Sequence, residues 1–367
     1  MRKRIVITGG HHNSALVVAE KLREKGYEII WFGHKFTMWG DKNVGAEYRE
    51  VTKAGFKFIE IKAGKFYRTY HPLKLLRLPL GFMQSFYYLL QFRPKLILSF
   101  GGYLAVPVVI SGWFLRIPSM THEQTVVYGL ANRLIGHFAK KIFVSWEASL
   151  KHFPAQKVVF TGLPLRPEIF SDKKGKFDFK NSLPTIYITG GKQGSHAINQ
   201  AIEEALPNLL KEFNLIHACG RSTVFDDLND LTRIKRKLMR ELRQRYLLQD
   251  YFTRQEVGSV LAVADLVVSR AGAHTTYEVA ALGKPTIFIP IPWSDQDEQL
   301  KNAQLLVEAG IAEILPQNQL NGKNLYRLVK SMTENLEKYQ KAASKARSLI
   351  KLKATEKIVK EIDDFLR

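Results

Sequence analysis

Two turns in this chain share the same letters, Ile7-Thr8-Gly9-Gly10, followed at once by His11, and Ile188-Thr189-Gly190-Gly191. A glycine pair after an apolar β-branched run lets backbone N–H groups converge, and a helix starting behind it adds its positive end, which suits a phosphate. Neither turn completes the Gly-x-Gly-x-x-Gly dinucleotide pattern, and no Lys-Ser or Lys-Thr follows as in a P-loop. A nicotinamide enzyme and an NTPase are therefore disfavoured, while a sugar-nucleotide diphosphate stays compatible, because backbone amides alone can hold it. His11 could reach a cleft as a general base, or simply open a helix.

A third stretch has the same logic. A strand-like run at residues 264–268 breaks at Ser269-Arg270-Ala271-Gly272-Ala273-His274-Thr275-Thr276-Tyr277-Glu278, restarts as a helix to Leu282, and is followed by an acidic, amide-rich loop ending at Gln299. Glu278 could accept hydrogen bonds from vicinal ribose hydroxyls, or be a favourable charge near a helix N-terminus. His122 and Glu123 follow another apolar run and could be an acid–base pair or tie neighbouring loops together. Asp295-Gln296-Asp297 reads as a loop of hydrogen-bonding side chains, and no dedicated metal site is expected. Cys219 is the only cysteine, which excludes an intramolecular disulfide and a cysteine metal cluster and reads as intracellular.

The elements that must position these groups are legible from periodicity. Residues 5–7 read as a buried strand and 14–25 as a helix with Ala15, Leu16, Ala19 and Leu22 on one face; Gly26 stops it, and 28–32 is the next strand. Further strands at 95–100 and 119–122 end at Gly101-Gly102-Tyr103 and His122-Glu123-Gln124, so functional groups gather where strands end, as at the carboxyl edge of a parallel sheet. Residues 185–189 restart the pattern, with a helix at 197–210. The chain has 367 residues, 46% of them hydrophobic, more than one core readily takes, which predicts two similar open-sheet domains. We place them at 1–165 and 166–345, with a closing helix at 346–367 that offers Ile350, Leu352, Ile358, Ile362 and Leu366 for docking back on the first. Residues 223–249 read as one solvated helix.

A formal net charge of +21 calls for an anionic partner: nucleic acid, an acidic membrane surface or a phosphorylated substrate. Residues 65–93 lead from Lys65 and Arg68 into an aromatic, leucine-rich amphipathic segment, as an interfacial element on anionic lipid does; a core helix with a basic flank is the other reading. Pro79 and Gly81 break its period, so a loop followed by a helix is expected. The apolar run after Met1-Arg2-Lys3-Arg4 stops at Thr8, far short of a signal peptide, and no run reaches the roughly 20 residues needed to span a bilayer.

In this order the motifs resemble the MurG family of peripheral-membrane N-acetylglucosaminyltransferases. The resemblance rests on Thr8-Gly9-Gly10-His11, Gly101-Gly102-Tyr103, His122-Glu123-Gln124, residues 162–166, Gly190-Gly191 with Gln193-Gly194, and residues 270–278 with 299–303. It implies an α/β chain of GT-B architecture, two Rossmann-like domains facing across a cleft, with no cofactor or required metal. It also implies an inverting transfer of GlcNAc from UDP-GlcNAc to the 4-hydroxyl of an undecaprenyl-diphosphate-linked N-acetylmuramyl-peptide, in peptidoglycan synthesis at the cytoplasmic face of the membrane, with no nucleic-acid partner. Carried over by position, Ala273, His274, Thr275 and Thr276 resemble the diphosphate loop, Glu278 the ribose carboxylate, and Arg166, Lys192, Gln193 and Gln299 donor-contacting positions, with Thr253 near the uracil. On the acceptor side stand Thr8, Gly9, Gly10, Tyr103, His122, Glu123 and Thr125, with His11 as the base. The chain departs from the family at Val6-Ile7, where the family has a further glycine pair, at Thr125 for asparagine, and at Lys192 for serine. A transferase acting on another lipid such as diacylglycerol, and a non-catalytic basic binding module, are the alternatives.

Overall fold

The computed structural model describes residues 3–36, 44–64, 77–171, 177–222 and 224–367, with residues 77 and 78 described in backbone alone. Contacts divide the chain into two units, Met1–Leu165 with Lys351–Arg367, and Arg166–Ile350. Each is a parallel sheet, because every strand pair is joined by a crossover long enough to return the chain in the same direction.

In the first unit the strands are β1 (Arg4–Thr8), β2 (Glu28–Gly33), β3 (Lys57–Glu60), β4 (Leu96–Ser99), β5 (Ser119–Glu123), β6 (Lys141–Val144) and β7 (Val158–Phe160). Their order is β3-β2-β1-β4-β5-β6-β7. Side chains alternate across the sheet. Ile5 and Ile7 pack with Leu16, Ala19 and Leu22 of helix His12–Glu24 and with Ile358 and Ile362 of helix Ala354–Leu366, while Val6 packs with helices Arg77–Phe92, Ala105–Phe114 and Leu130–Phe138 on the other face. Both faces are covered, which is why β1 reads as a continuous apolar run. The last helix is fastened at its end, where the Tyr27 hydroxyl donates to Asp363 at 2.8 Å and the Lys3 ammonium to the Leu366 carbonyl at 2.6 Å. Leu352, expected to dock, is instead exposed, because it lies in the turn before the helix begins.

In the second unit β8 (Thr185–Thr189), β9 (Asn214–Ala218), β10 (Tyr246–Gln249), β11 (Leu266–Ser269), β12 (Thr286–Phe288) and β13 (Ala312–Ile314) run in the order β10-β9-β8-β11-β12-β13. The single helix expected over 223–249 is two helices, Asp227–Lys237 and Arg240–Gln244, and then β10. Leu238 turns extended after the first, and buried Tyr246 continues into a strand alongside β9. Tertiary pairing overrides the charge periodicity there.

Both sheets reverse their winding once, between β1 and β4 in the first and between β8 and β11 in the second. Loops diverge to opposite faces at such a point and leave a crevice beyond the strand ends. Among the described residues no helix is long and apolar enough to cross a membrane.

Candidate functional site

At the reversal in the first unit the loops after β1 and β4 touch. Gly9 has φ +126°, and a Cβ there would lie 2.7 Å from the Gly101 carbonyl oxygen, so only glycine lets the two backbones approach. The Gly10 N–H donates to that same carbonyl at 3.2 Å. Behind them helix His12–Glu24 starts with no side-chain cap hydrogen bond and no acidic residue in its first turn, so no carboxylate of that turn offsets the positive end of the helix.

His11 stands at that start, exposed, with Nδ1 2.8 Å from the Phe100 carbonyl oxygen. A carbonyl can only accept, so in the neutral ring Nδ1 carries the hydrogen and Nε2 keeps the lone pair. That tautomer is the one a general base at Nε2 requires. Thr8 is wholly buried and its hydroxyl has no hydrogen-bond partner, while Tyr103 is half-buried in the loop after β4.

His122, Glu123 and Thr125, expected at the acceptor, instead face inward. His122 has no exposed surface and its Nε2 lies 2.9 Å from the Gly162 carbonyl oxygen. The Glu123 carboxylate accepts from Asn132 at 2.9 Å and from the Gly129 N–H at 3.2 Å, and the Thr125 hydroxyl lies 3.2 Å from its other oxygen. Of the two readings of His122 and Glu123 open in the sequence, the one that ties loops together fits this geometry.

Burial pushes the His122 imidazole down from 6.5 to about 4. The unfolded chain therefore takes up this proton first as pH falls, and the stability linked to it, full above about 6.5, declines toward pH 4 by roughly 3 kcal/mol in all. Melting curves at pH 7.5 and 5 should show the loss. His217, pushed down to about 3 by its own burial in the second unit, adds a like slope, so a His122→Gln variant should remove only part of the dependence.

At the second reversal, helix Ala273–Leu282 follows β11 with Gly272 before it, again without a side-chain cap or a first-turn acid. Ala273 and Thr276 are buried and the Thr276 hydroxyl donates to the Gly272 carbonyl at 3.0 Å. His274 and Thr275 are half-buried beside them. Glu278, one turn on, is buried and accepts from Arg166 at 2.9 Å, so two residues assigned separate duties form one ion pair. Lys192 and Gln193 are exposed in the loop after β8. Their loop is held by Gly194, where a Cβ would come within 2.1 Å of the Cys219 carbonyl oxygen.

Gln299 closes the loop after β12 by accepting from the Ile291 N–H at 3.1 Å. Thr253, which is exposed, caps helix Arg254–Val263, its N–H and hydroxyl both donating to Glu256. Among the described residues no three His, Cys, Asp or Glu side chains gather as a metal ion would need.

Arg270 received no duty from its motif, yet it joins three loops, donating to Ser195 at 2.6 Å, to Gln317 at 2.7 Å and to the Ile289 carbonyl at 2.9 Å. Burial lowers its guanidinium to about 10. No local signal separates such a pin from a surface arginine, because its partners are far away in sequence. Trp113 and Phe114, which none of the sequence motifs singles out, end the apolar helix Ala105–Phe114 and are exposed.

Models of the glycosyltransferase family 28 N-terminal and C-terminal domains match residues 7–144 and 185–362. The chain is 33% identical over 356 residues to a Bacillus cereus UDP-N-acetylglucosamine--N-acetylmuramyl-(pentapeptide) pyrophosphoryl-undecaprenol N-acetylglucosamine transferase, covering 94% of this chain and 95% of that one. It is 32% identical to the transferase of the same description in Clostridium tetani, covering 93% of each. Among solved structures it is similar to Acinetobacter baumannii MurG, with a TM-score of 0.73, 24% identity and 99% of each chain covered.

Proposed function

The chain belongs to glycosyltransferase family 28, and from that premise we propose that it transfers GlcNAc from UDP-GlcNAc to an undecaprenyl-diphosphate-linked N-acetylmuramyl-peptide. The observation that carries this reading is that both reversal points are furnished for it, in a chain matching transferases of that description over nearly its whole length. In the second unit the uncapped start of helix Ala273–Leu282 takes the diphosphate, with Lys192 and Gln193 on the neighbouring loop, and Glu278 takes the ribose hydroxyls. In the first unit the start of helix His12–Glu24 takes the lipid diphosphate, and Nε2 of His11 removes the proton from the 4-hydroxyl as that oxygen attacks the anomeric carbon. Negative charge develops on the departing UDP, where the helix N–H groups and Arg166 offset it without reorganising.

The experiment is UDP release from UDP-GlcNAc with the muramyl-peptide lipid, run beside diacylglycerol. Release with the first acceptor supports the reading; turnover with diacylglycerol alone reassigns the acceptor, and release with neither removes the transferase assignment.

We place the protein peripherally on the acidic cytoplasmic face of the membrane. The basic part of the expected lipid-binding segment, residues 65–76, lies outside the described residues, but helix Arg77–Phe92 that follows presents Met83, Phe86, Tyr87 and Leu90 to solvent. Exposed Trp113 and Phe114 lie at the end of helix Ala105–Phe114, which packs beside it. So many large apolar side chains left uncovered on adjacent helices fit insertion at a lipid interface. Each buried side chain contributes about 1.5–3 kcal/mol, so Met83→Glu with Tyr87→Glu should weaken binding to phosphatidylglycerol vesicles by roughly tenfold or more. Turnover on a water-soluble acceptor should be retained; unchanged vesicle binding would remove this face from the membrane.

A further inference from the structure

The basic run for which the transferase reading has no use lies at the other edge of the second sheet. Residues 233–245 hold seven Lys and Arg against one carboxylate, Glu241. Beside them, where β10 begins at Tyr246, a cavity of about 670 Å³ opens, within the range of small-molecule sites. Because the strands are parallel, this is the edge opposite the loops that follow β8 and β11.

Its walls combine two chemistries. Half-buried Phe179 supplies aromatic surface, with the buried Phe177 and Tyr246 behind it, and Lys180, Lys235 and Arg243 supply positive charge. Arg243 is fixed, because its guanidinium donates to the carbonyls of Arg236 at 2.8 Å and Leu238 at 2.9 Å. Lys235 is half-buried with its ammonium 5.7 Å from the centre of the Tyr246 ring, and among the described residues no carboxylate forms an ion pair with it. Burial and the nearby Arg243 both hold its ammonium below the usual lysine range, and an anion beside it would offset both effects. Glu241 and Asp178, which also line the cavity, oppose a long polyanion, and its volume suits a small ligand.

We propose that this cavity is a second binding site, distinct from the donor loops, for a small organic phosphate that carries an aromatic or apolar group. The phosphate bonds Lys235 and Lys180 with Arg243 beside them, and the apolar group lies against Phe179. The source is either a soluble phosphate ester or a lipid headgroup.

Equilibrium binding to the full chain, with UDP present in excess to occupy the donor loops, tests it with two probes, adenosine diphosphate and dihexanoyl phosphatidylglycerol. At least one probe should bind with UDP present, and Lys235→Met and, separately, the exposed Lys180→Ala should each weaken it by about tenfold. Glu278→Gln should leave that binding unchanged. Adenosine diphosphate as the one bound identifies a soluble ester, the lipid a headgroup. Binding of neither probe, displacement by UDP, or indifference to both lysine substitutions overturns the site. Because UDP release is read separately, failure here leaves the transferase reading standing, and the reverse also holds.

Discussion

Replacing His11 with alanine is expected to lower turnover by roughly 10²- to 10⁴-fold, with the donor KM nearly unchanged. The split follows from geometry. His11 belongs to the loop after β1, while the proposed donor contacts belong to the second unit, so the substitution removes a proton acceptor and no donor contact. The hydrogen bond to the Phe100 carbonyl makes a second variant informative, because His11→Gln keeps an N–H that can donate there but has no basic nitrogen. If the imidazole only holds the loop, His11→Gln should recover most of the activity; if it is the base, the glutamine should be as slow as the alanine. A loss below tenfold in His11→Ala would assign the proton to another group.

His11 could be picked out in the sequence because its signal is local: a β-branched run, two glycines, then the imidazole. The same locality made β1, helix His12–Glu24, β8 and helix Ala273–Leu282 legible, since each is fixed by apolar spacing and a glycine at its end. Where partners are distant, the letters carried less. From its own residues Glu278 read first as a helix-end charge, because its partner Arg166 lies 112 residues away. Tyr246 read as helix until the edge of β9 gave it a strand to pair with. For His122 and Glu123 the structural reading already had the edge over an acid–base pair, and their burial and their bonds to Gly162 and Asn132 add to it. A sequence displays which groups could do chemistry; which of them keep a free face depends on packing by elements far along the chain.

The ion pair between Arg166 and Glu278 leads to the second large effect. Their side chains are 15% and 8% exposed, so removing either partner leaves a charge nearly out of water, and Glu278→Ala should lose about 3 kcal/mol of stability along with its activity. Activity alone would therefore not separate a ribose ligand from a structural pair. A carboxylate has about four acceptor sites, and Arg166 occupies one oxygen, so the pair can orient Glu278 while leaving room for two hydroxyls. Replacing both residues together, Arg166→Met with Glu278→Gln, removes the unpaired charge and should recover most of the stability, since such pairs are often matched by neutral groups of similar volume. Donor affinity should not return with it. Loss of charge-assisted bonds to the ribose costs about 1.5–3 kcal/mol, so the donor KM should stay roughly 10- to 100-fold high in the double variant. Recovery of stability and donor KM together would make the pair a strut, and the ribose would then need another ligand. Arg166→Lys sharpens the same distinction, because a lysine keeps the charge but cannot hold the carboxylate in the planar geometry of a guanidinium. Such a variant should stay folded yet still raise the donor KM, by less than the double variant does.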